Sequence, residues 1–297
     1  MKKMNKFVGF SDLCVPNRES IKELKDILLE LIDLGYKNVA IEQVYDHINA
    51  GGDRKSDLIP KPVDLSSLNK DLNGRLRLLN RLTIIYADAS VMVALSRSAN
   101  LRGYNLVAAI PTTEEAFQHA CQTLNCDILS YNSTTVRNKM SRKFYYVAVN
   151  RGIMFEIKYA PAIVDSSDRK DLINRANRYH SYGKSKNVII SSEARNRFQV
   201  RGPYDIANLG LIFGLSEEQS KNAILALPRK ILIAAETRRY GKAGVVVGYR
   251  QNAVDSDDYS DTELNETISD SDTEEDEISH SDVEMAEPPV KFAKYDE

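Results

Sequence analysis

The densest concentration of chemically useful side chains lies in residues 187–214, NVIISSEARNRFQVRGPYDIANLGLIFG. Val188, Ile189 and Ile190 form an apolar run of strand length, which suits a strand buried on both faces. Ser191, Ser192 and Glu193 place polar groups at its C-terminal end, the end that faces the ligand crevice in a parallel α/β architecture. Arg195, Arg197 and Arg201 follow, and Gly202-Pro203 reads as a helix start, with Pro at the first helical position. Ile206, Leu209 and Phe213 recur at helical spacing, and Gly214 supplies a left-handed stop. Three arginines beside a helix N-terminus favour anions, phosphate above all. The competing reading is structural: solvated arginines, Asp205 complementing the helix dipole and Tyr204 bracing the turn.

A metal-dependent hydrolase would need His, Asp and Glu converging at strand ends. Asp12, Glu42, Asp88, Glu193 and Glu236 are available acids, but there are four histidines in all, at 47, 119, 180 and 280. Asp46-His47 follows a strand, whereas the first strand ends in Phe10-Ser11-Asp12 without His-x-His; His119 and His180 fall in helical segments. No nucleophile elbow, Walker loop or CxxC is present. The lone Gly-x-x-x-Gly at Gly210 to Gly214 lies in a soluble helix.

The elements that would position these groups alternate strand and helix. Strands are expected from Phe7, Asn38, Leu82, Leu106, Asp127 and Val188, with Phe144 to Val149 and Met154 to Tyr159 two further strand-like runs. Capping boxes begin at Ser20, Thr112 and Ser216, and Asp165 caps the helix carrying Leu172, Ile173, Ala176 and Tyr179. Pro228 ends the helix through Leu227, and Ile231 to Ala235 is ambiguous between strand and helix. Seven or eight such repeats imply an α/β fold, a TIM-barrel-like parallel sheet with outer helices; the early Gly-rich turn of a Rossmann domain is missing. Residues 1–250 would form this barrel, with 49–74 a mobile surface insertion. Residues 251–297 would be a disordered acidic tail.

Formal charge is −2 for the whole chain, yet residues 255–297 hold 17 Asp/Glu against 2 Lys/Arg. That leaves the body 38 of the 40 basic and 25 of the 42 acidic residues, a net of +13, a prior for nucleic-acid contact. Further basic clusters are Arg75/Arg77/Arg81, Arg137/Lys139/Arg142/Lys143, Arg229/Lys230 and Arg238/Arg239. Tyr145 and Tyr146 either stack on an unpaired base or pack in the core. Three cysteines without metal-type spacing argue against a disulfide framework, no apolar run reaches membrane length, and no secretory signal is legible. In the tail, Ser256, Ser260, Ser269, Ser271, Thr273 and Ser281 precede acids, the preference of acidophilic kinases.

The strings KNVIISSEA and RGPYDIANLGLIFGLS, with RLTIIYAD, FEIKYAPAI and ETRR, resemble the thirty-kilodalton protein subunit of ribonuclease P and its sister ribonuclease MRP, over about Val8 to Arg239. That resemblance implies an amidohydrolase/PHP-like barrel without an intact metal site, acting in a ribonucleoprotein. The RNA would be catalytic and remove the 5′ leader of precursor tRNA, with magnesium on the RNA and neither a catalytic residue nor a cofactor on the protein. A small RRM-like subunit would be a partner, the location nuclear and nucleolar, and rRNA processing a second role. The residues placed against RNA are Arg201, Gly202, Pro203, Tyr204 and Asp205, then Arg195, Arg197, Arg238 and Arg239. A metal-dependent phosphoesterase and a purely protein-binding scaffold are the alternatives.

Overall fold

A computed structural model describes residues 7–50 and 57–239. Its core is a sheet of seven parallel strands in sequential order: β1 (Ser11–Pro16), β2 (Asn38–Asp46), β3 (Arg77–Tyr86), β4 (Leu106–Pro111), β5 (Ile128–Leu129), β6 (Met154–Lys158) and β7 (Val188–Ser191). The edges meet just beyond β7, where the Glu193 amide donates to the Cys14 carbonyl at 2.8 Å and the Ser192 amide to Asp12 Oδ1 at 3.0 Å. The barrel is therefore nearly closed.

Ten helices among the described residues surround or plug it: α1 (Ile21–Asp33), α2 (Ser66–Asp71), α3 (Val91–Arg97), α4 (Glu114–Gln122), α5 (Arg142–Asn150), α6 (Ala160–Val164), α7 (Ser166–Gly183), α8 (Pro203–Ile212), α9 (Glu217–Ile224) and α10 (Ala226–Arg239). Ser20 accepts from the Glu23 amide, Asp165 from Ser167, and Ser216 and Gln219 form a complete capping box. The cap of α4 is Thr113, one residue later than expected: its hydroxyl accepts from the Ala116 amide, while Thr112 bonds back to Tyr86.

Strand periodicity sorts the interior into layers. Ala40, Leu79, Ala108, Ile128, Met154 and Ile189 pack with Ile231, Leu232 and Ala235 of α10, which closes the end where the strands begin. Two residues further along four of these strands stand Glu42, Arg81, Glu156 and Ser191, so a polar layer sits directly above the apolar plug. Outward-facing Val39, Ile41, Leu82, Ile84, Phe155 and Ile157 join the larger core beneath the helices.

Several expectations are corrected. The run Phe144 to Val149 is helical, within α5; its buried residues Tyr145 and Ala148 recur at helical spacing, and its β-branched and aromatic composition misleads. Pro228 does not end a helix but lies in the first turn of α10, where its missing N–H leaves no bond unmade, and Ile231 to Ala235 continue that helix. The expected surface insertion at 49–74 is packed over residues 57–74: Ile59, Leu65, Leu68 and Leu72 are buried, and the Tyr104 hydroxyl donates to the Pro60 carbonyl at 3.0 Å. For Tyr145 the core reading holds, since it is fully buried with its ring stacked on Phe155 at 4.0 Å and presents no face to a base. Gly183 makes that position possible, because a Cβ there would enter the Tyr145 ring. The acidic tail, with its Ser and Thr candidates, lies outside the described residues.

Candidate nucleic-acid interface

The loop between β7 and α8 sits at the barrel mouth, where the strands end. Glu193 opens it in a left-handed conformation (φ 55°), unusual for a non-glycine residue. The turn is then fastened from within. Asn196 accepts from the Phe198 amide, Gln199 Oε1 from the Arg195 amide at 2.7 Å, and Arg201 Nη1 donates to the Phe198 and Val200 carbonyls at 2.7 and 2.8 Å. Two tyrosines clamp the Arg201 backbone: its amide donates to the Tyr159 hydroxyl and its carbonyl accepts from the Tyr36 hydroxyl, both at 3.1 Å. The Arg201 guanidinium is thereby a brace of the loop.

Gly202 is the N-cap of α8 and Pro203 its buried first residue, as the Gly-Pro pair predicts. The exposed Asp205 carboxylate lies against Gly202, where a Cβ would stand 3.2 Å from Asp205 Oδ2, and already supplies negative charge to the first helical turn. Arg195, Arg197 and Tyr204 face outward. Phe198, 73% exposed with the Arg197 guanidinium 4.8 Å from its ring centroid, was missed from the sequence; an aromatic between two arginines in a short loop was the available signal.

Arg238 and Arg239 belong to the opposite end. Arg238 forms an ion pair with Asp127, immediately before β5, with Nη2 2.6 Å from Oδ2. Asp127 Oδ2 also accepts from the Val107 amide at 2.8 Å, so Arg238 fastens α10 under the barrel. Arg239 is exposed there and lines a cavity of about 220 Å³ with Phe7, Arg77 and Glu236. The nine candidates thus divide between two ends, seven at the mouth and two at the base.

Inside the mouth the lumen holds an ion network. Arg81 meets Glu156 through Nη1–Oε1 at 2.6 Å and Nη2–Oε2 at 2.7 Å, and also approaches Glu42 at 3.4 Å. Thr83 donates to Glu42 at 2.5 Å and Ser130 to Glu156 at 2.6 Å. Lys158 Nζ donates to the Tyr131 carbonyl at 2.9 Å and Glu193 at 3.2 Å. Burial pushes the Glu156 carboxyl up, but Arg81, Lys158 and Ser130 outweigh it and hold the pKa at about 2. Glu193 is raised by burial, partly offset by Lys158. Arg81, grouped in the sequence with Arg75 and Arg77 as a basic cluster, is fully buried and faces these carboxylates, not solvent.

The acids considered for a hydrolase are therefore dispersed or matched. Glu42 shares Arg81 with Glu156, Glu193 pairs with Lys158, Asp88 accepts from the Ser90 amide outside the lumen, and Glu236 lies at the base. His47 bonds Tyr45 and Ser90. Among the described residues no group of three or more His, Cys, Asp or Glu is placed to hold a metal. Burial raises Asp12 to about 6; its Oδ1 accepts from the Ser192 and Cys14 amides, while Oδ2 has no partner.

The class is a nearly closed seven-stranded β/α barrel with buried ion pairs in its lumen and exposed Arg195 and Arg197 at its mouth. The family described as RNase P subunit p30 matches residues 9–240, and the chain belongs to that family. A mouse protein named ribonuclease P protein subunit p30 is 37% identical over 244 residues, 78% of this chain and 87% of its own length. The *Saccharomyces cerevisiae* ribonuclease P/MRP protein subunit RPP1 is 24% identical over 233 residues, covering 77% and 78%. A chain in the cryo-EM structure of archaeal ribonuclease P with mature tRNA shares the fold at a TM-score of 0.56 and 14% identity, covering 84% of this chain and all of that one.

Proposed function

We propose that this chain is a protein subunit of ribonuclease P, and of ribonuclease MRP, that binds and stabilises the catalytic RNA and has no catalytic group of its own. The family match across 9–240, which spans every strand of the barrel, carries this reading. The RNA, with its own bound magnesium, removes the 5′ leader of precursor tRNA, and precursor tRNA meets this chain only indirectly. Arg195 and Arg197 at the mouth supply phosphate contacts, an arginine fork being suited to two hydrogen bonds per phosphate. Lowering the electrostatic cost of folding the RNA is the contribution of such contacts. A small RRM-like subunit and other subunits of the particle are the protein partners, and the nucleus and nucleolus the location.

Purifying the tagged chain from its cells and sequencing the bound RNA tests this. Ribonuclease P and MRP RNAs should dominate. Recovery of the chain in a stable protein assembly without either RNA would overturn the reading in favour of a protein scaffold.

A further inference from the structure

Beside the mouth lies a cavity that the sequence did not announce. It occupies about 160 Å³ between the loops that follow β5 and β7, helix α6 and the first turns of α7. That is roughly five water volumes, enough for a single heterocycle and too little for a peptide segment. Its walls are of two kinds. Val136, Pro161, Ala162 and Leu172 are apolar, whereas Asp168 and the side-chain amide nitrogen of Asn132 are the polar groups; Asn132 Oδ1 is already taken by the Thr134 and Thr135 donors of its own turn. On its floor the Lys158 ammonium and Glu193 carboxylate form an ion pair at 3.2 Å, so the floor combines donors and acceptors with little net charge. A flat ring with apolar faces and hydrogen-bonding edges is the chemistry such a lining matches.

A second, wider groove of about 390 Å³ adjoins it, sharing Val136 and Asp171. Arg137, Lys170 and Arg178 line this groove with Ser167 and Asn174. Asp171 grips Arg137 Nε at 2.8 and 2.9 Å and so fixes the orientation of a guanidinium whose side chain is 70% exposed. Arg178 donates to the Arg137 and Asn138 carbonyls at 2.7 and 3.0 Å, stiffening the loop on the same side. At another edge of the cavity stands exposed Arg195. Cations bordering a ring-sized hole are the layout that a single strand requires, with phosphates outside and one base turned in.

We propose that this cavity receives one unpaired nucleobase of an RNA strand whose neighbouring phosphates follow the Arg137–Lys170–Arg178 groove. The proposal deepens the ribonuclease P reading and rests on it, since the partner must be RNA. It makes the loop after β5 and helix α7 part of the RNA surface together with the β7–α8 loop. Recognition of the base would be by shape and by its edge at Asn132 and Asp168.

The test uses the full chain and a short single-stranded RNA carrying one fluorescent adenine analogue, alongside the same RNA abasic at that position. Intact RNA should bind roughly tenfold more tightly than abasic RNA, within the range seen for loss of one base–protein contact. The analogue's emission should change on binding. Ser133→Trp, at an exposed position on the cavity rim, should abolish the tenfold difference and leave affinity for abasic RNA unchanged. Arg137→Ala with Lys170→Ala should weaken both RNAs alike. If intact and abasic RNA bind equally, yet with strong salt dependence, the cavity proposal falls and the RNA platform stands. If neither RNA binds at low salt, the cavity proposal falls, and recovery of ribonuclease P or MRP RNA with the chain decides the wider reading separately.

Discussion

Arg81 of β3 and Glu156 of β6 meet across the barrel lumen in a two-point ion pair, 2.6 and 2.7 Å long, with neither side chain reached by solvent. Removing one partner of such a pair leaves a buried charge uncompensated, which typically costs about 3–5 kcal/mol. Glu156→Gln should lower unfolding free energy by about that amount in urea titrations. Arg81→Met combined with Glu156→Leu should recover only part of the loss, because buried Glu42 then loses its Arg81 neighbour and keeps only the field of Lys158. A Glu156→Gln variant as stable as the native chain would show that the lumen is more hydrated than this geometry implies.

Asp12 gives the barrel a pH dependence of definite sign. Its folded pKa of about 6 lies above the ordinary aspartate value of 3.8, so the folded state holds the proton more tightly than the unfolded chain does. The protonated form favours folding, and stability is lost as pH rises from about 4 to about 6. Asp12→Asn keeps an oxygen for the Cys14 and Ser192 amides and never ionises. Its stability relative to the native chain should therefore climb by about 2–3 kcal/mol across that interval and stay level above it. Thermal melts of both proteins from pH 4 to pH 7 measure this; a constant difference would exclude Asp12 as the titrating group.

Arg201 and Arg238 should act through stability, each by about 1–3 kcal/mol, because each holds a charge-assisted set of hydrogen bonds within the fold. Arg201→Ala should loosen the mouth loop, readable as faster amide exchange at Phe198 and Val200. Arg238→Ala should loosen α10 at the far end, with RNA affinity little changed. Equal losses of RNA affinity from both variants, without loss of stability, would show that the two ends serve RNA directly.

The barrel was legible because apolar runs mark most of its strands and caps at Ser20, Thr113, Asp165 and Ser216 open α1, α4, α7 and α9, and Val188 to Ile190 and the Gly202-Pro203 start fall where their chemistry places them. Helix α5 was not: Phe144, Tyr145, Val147 and Val149 have strand-like composition, and only packing against Phe155 and Tyr179 decides for helix. The basic loop was found, but not which arginines face outward. Arg201 turns back onto its own carbonyls, and Arg81 pairs with a residue 75 positions away; neither contact is encoded in local spacing. The cavity beside the mouth was invisible for the same reason, since two loops and two helices spread over residues 131–195 build it.

The proposed function rests above all on RNA binding through phosphates at the barrel mouth. Titrating a structured RNA at several salt concentrations, with the native chain and with Arg195 and Arg197 both changed to Ala, measures it most directly. Affinity should fall steeply with salt, and the slope of log affinity against log salt should shrink by roughly two in the double variant, about one per phosphate contact. Binding that barely responds to salt, or an unaltered slope in the variant, would contradict it.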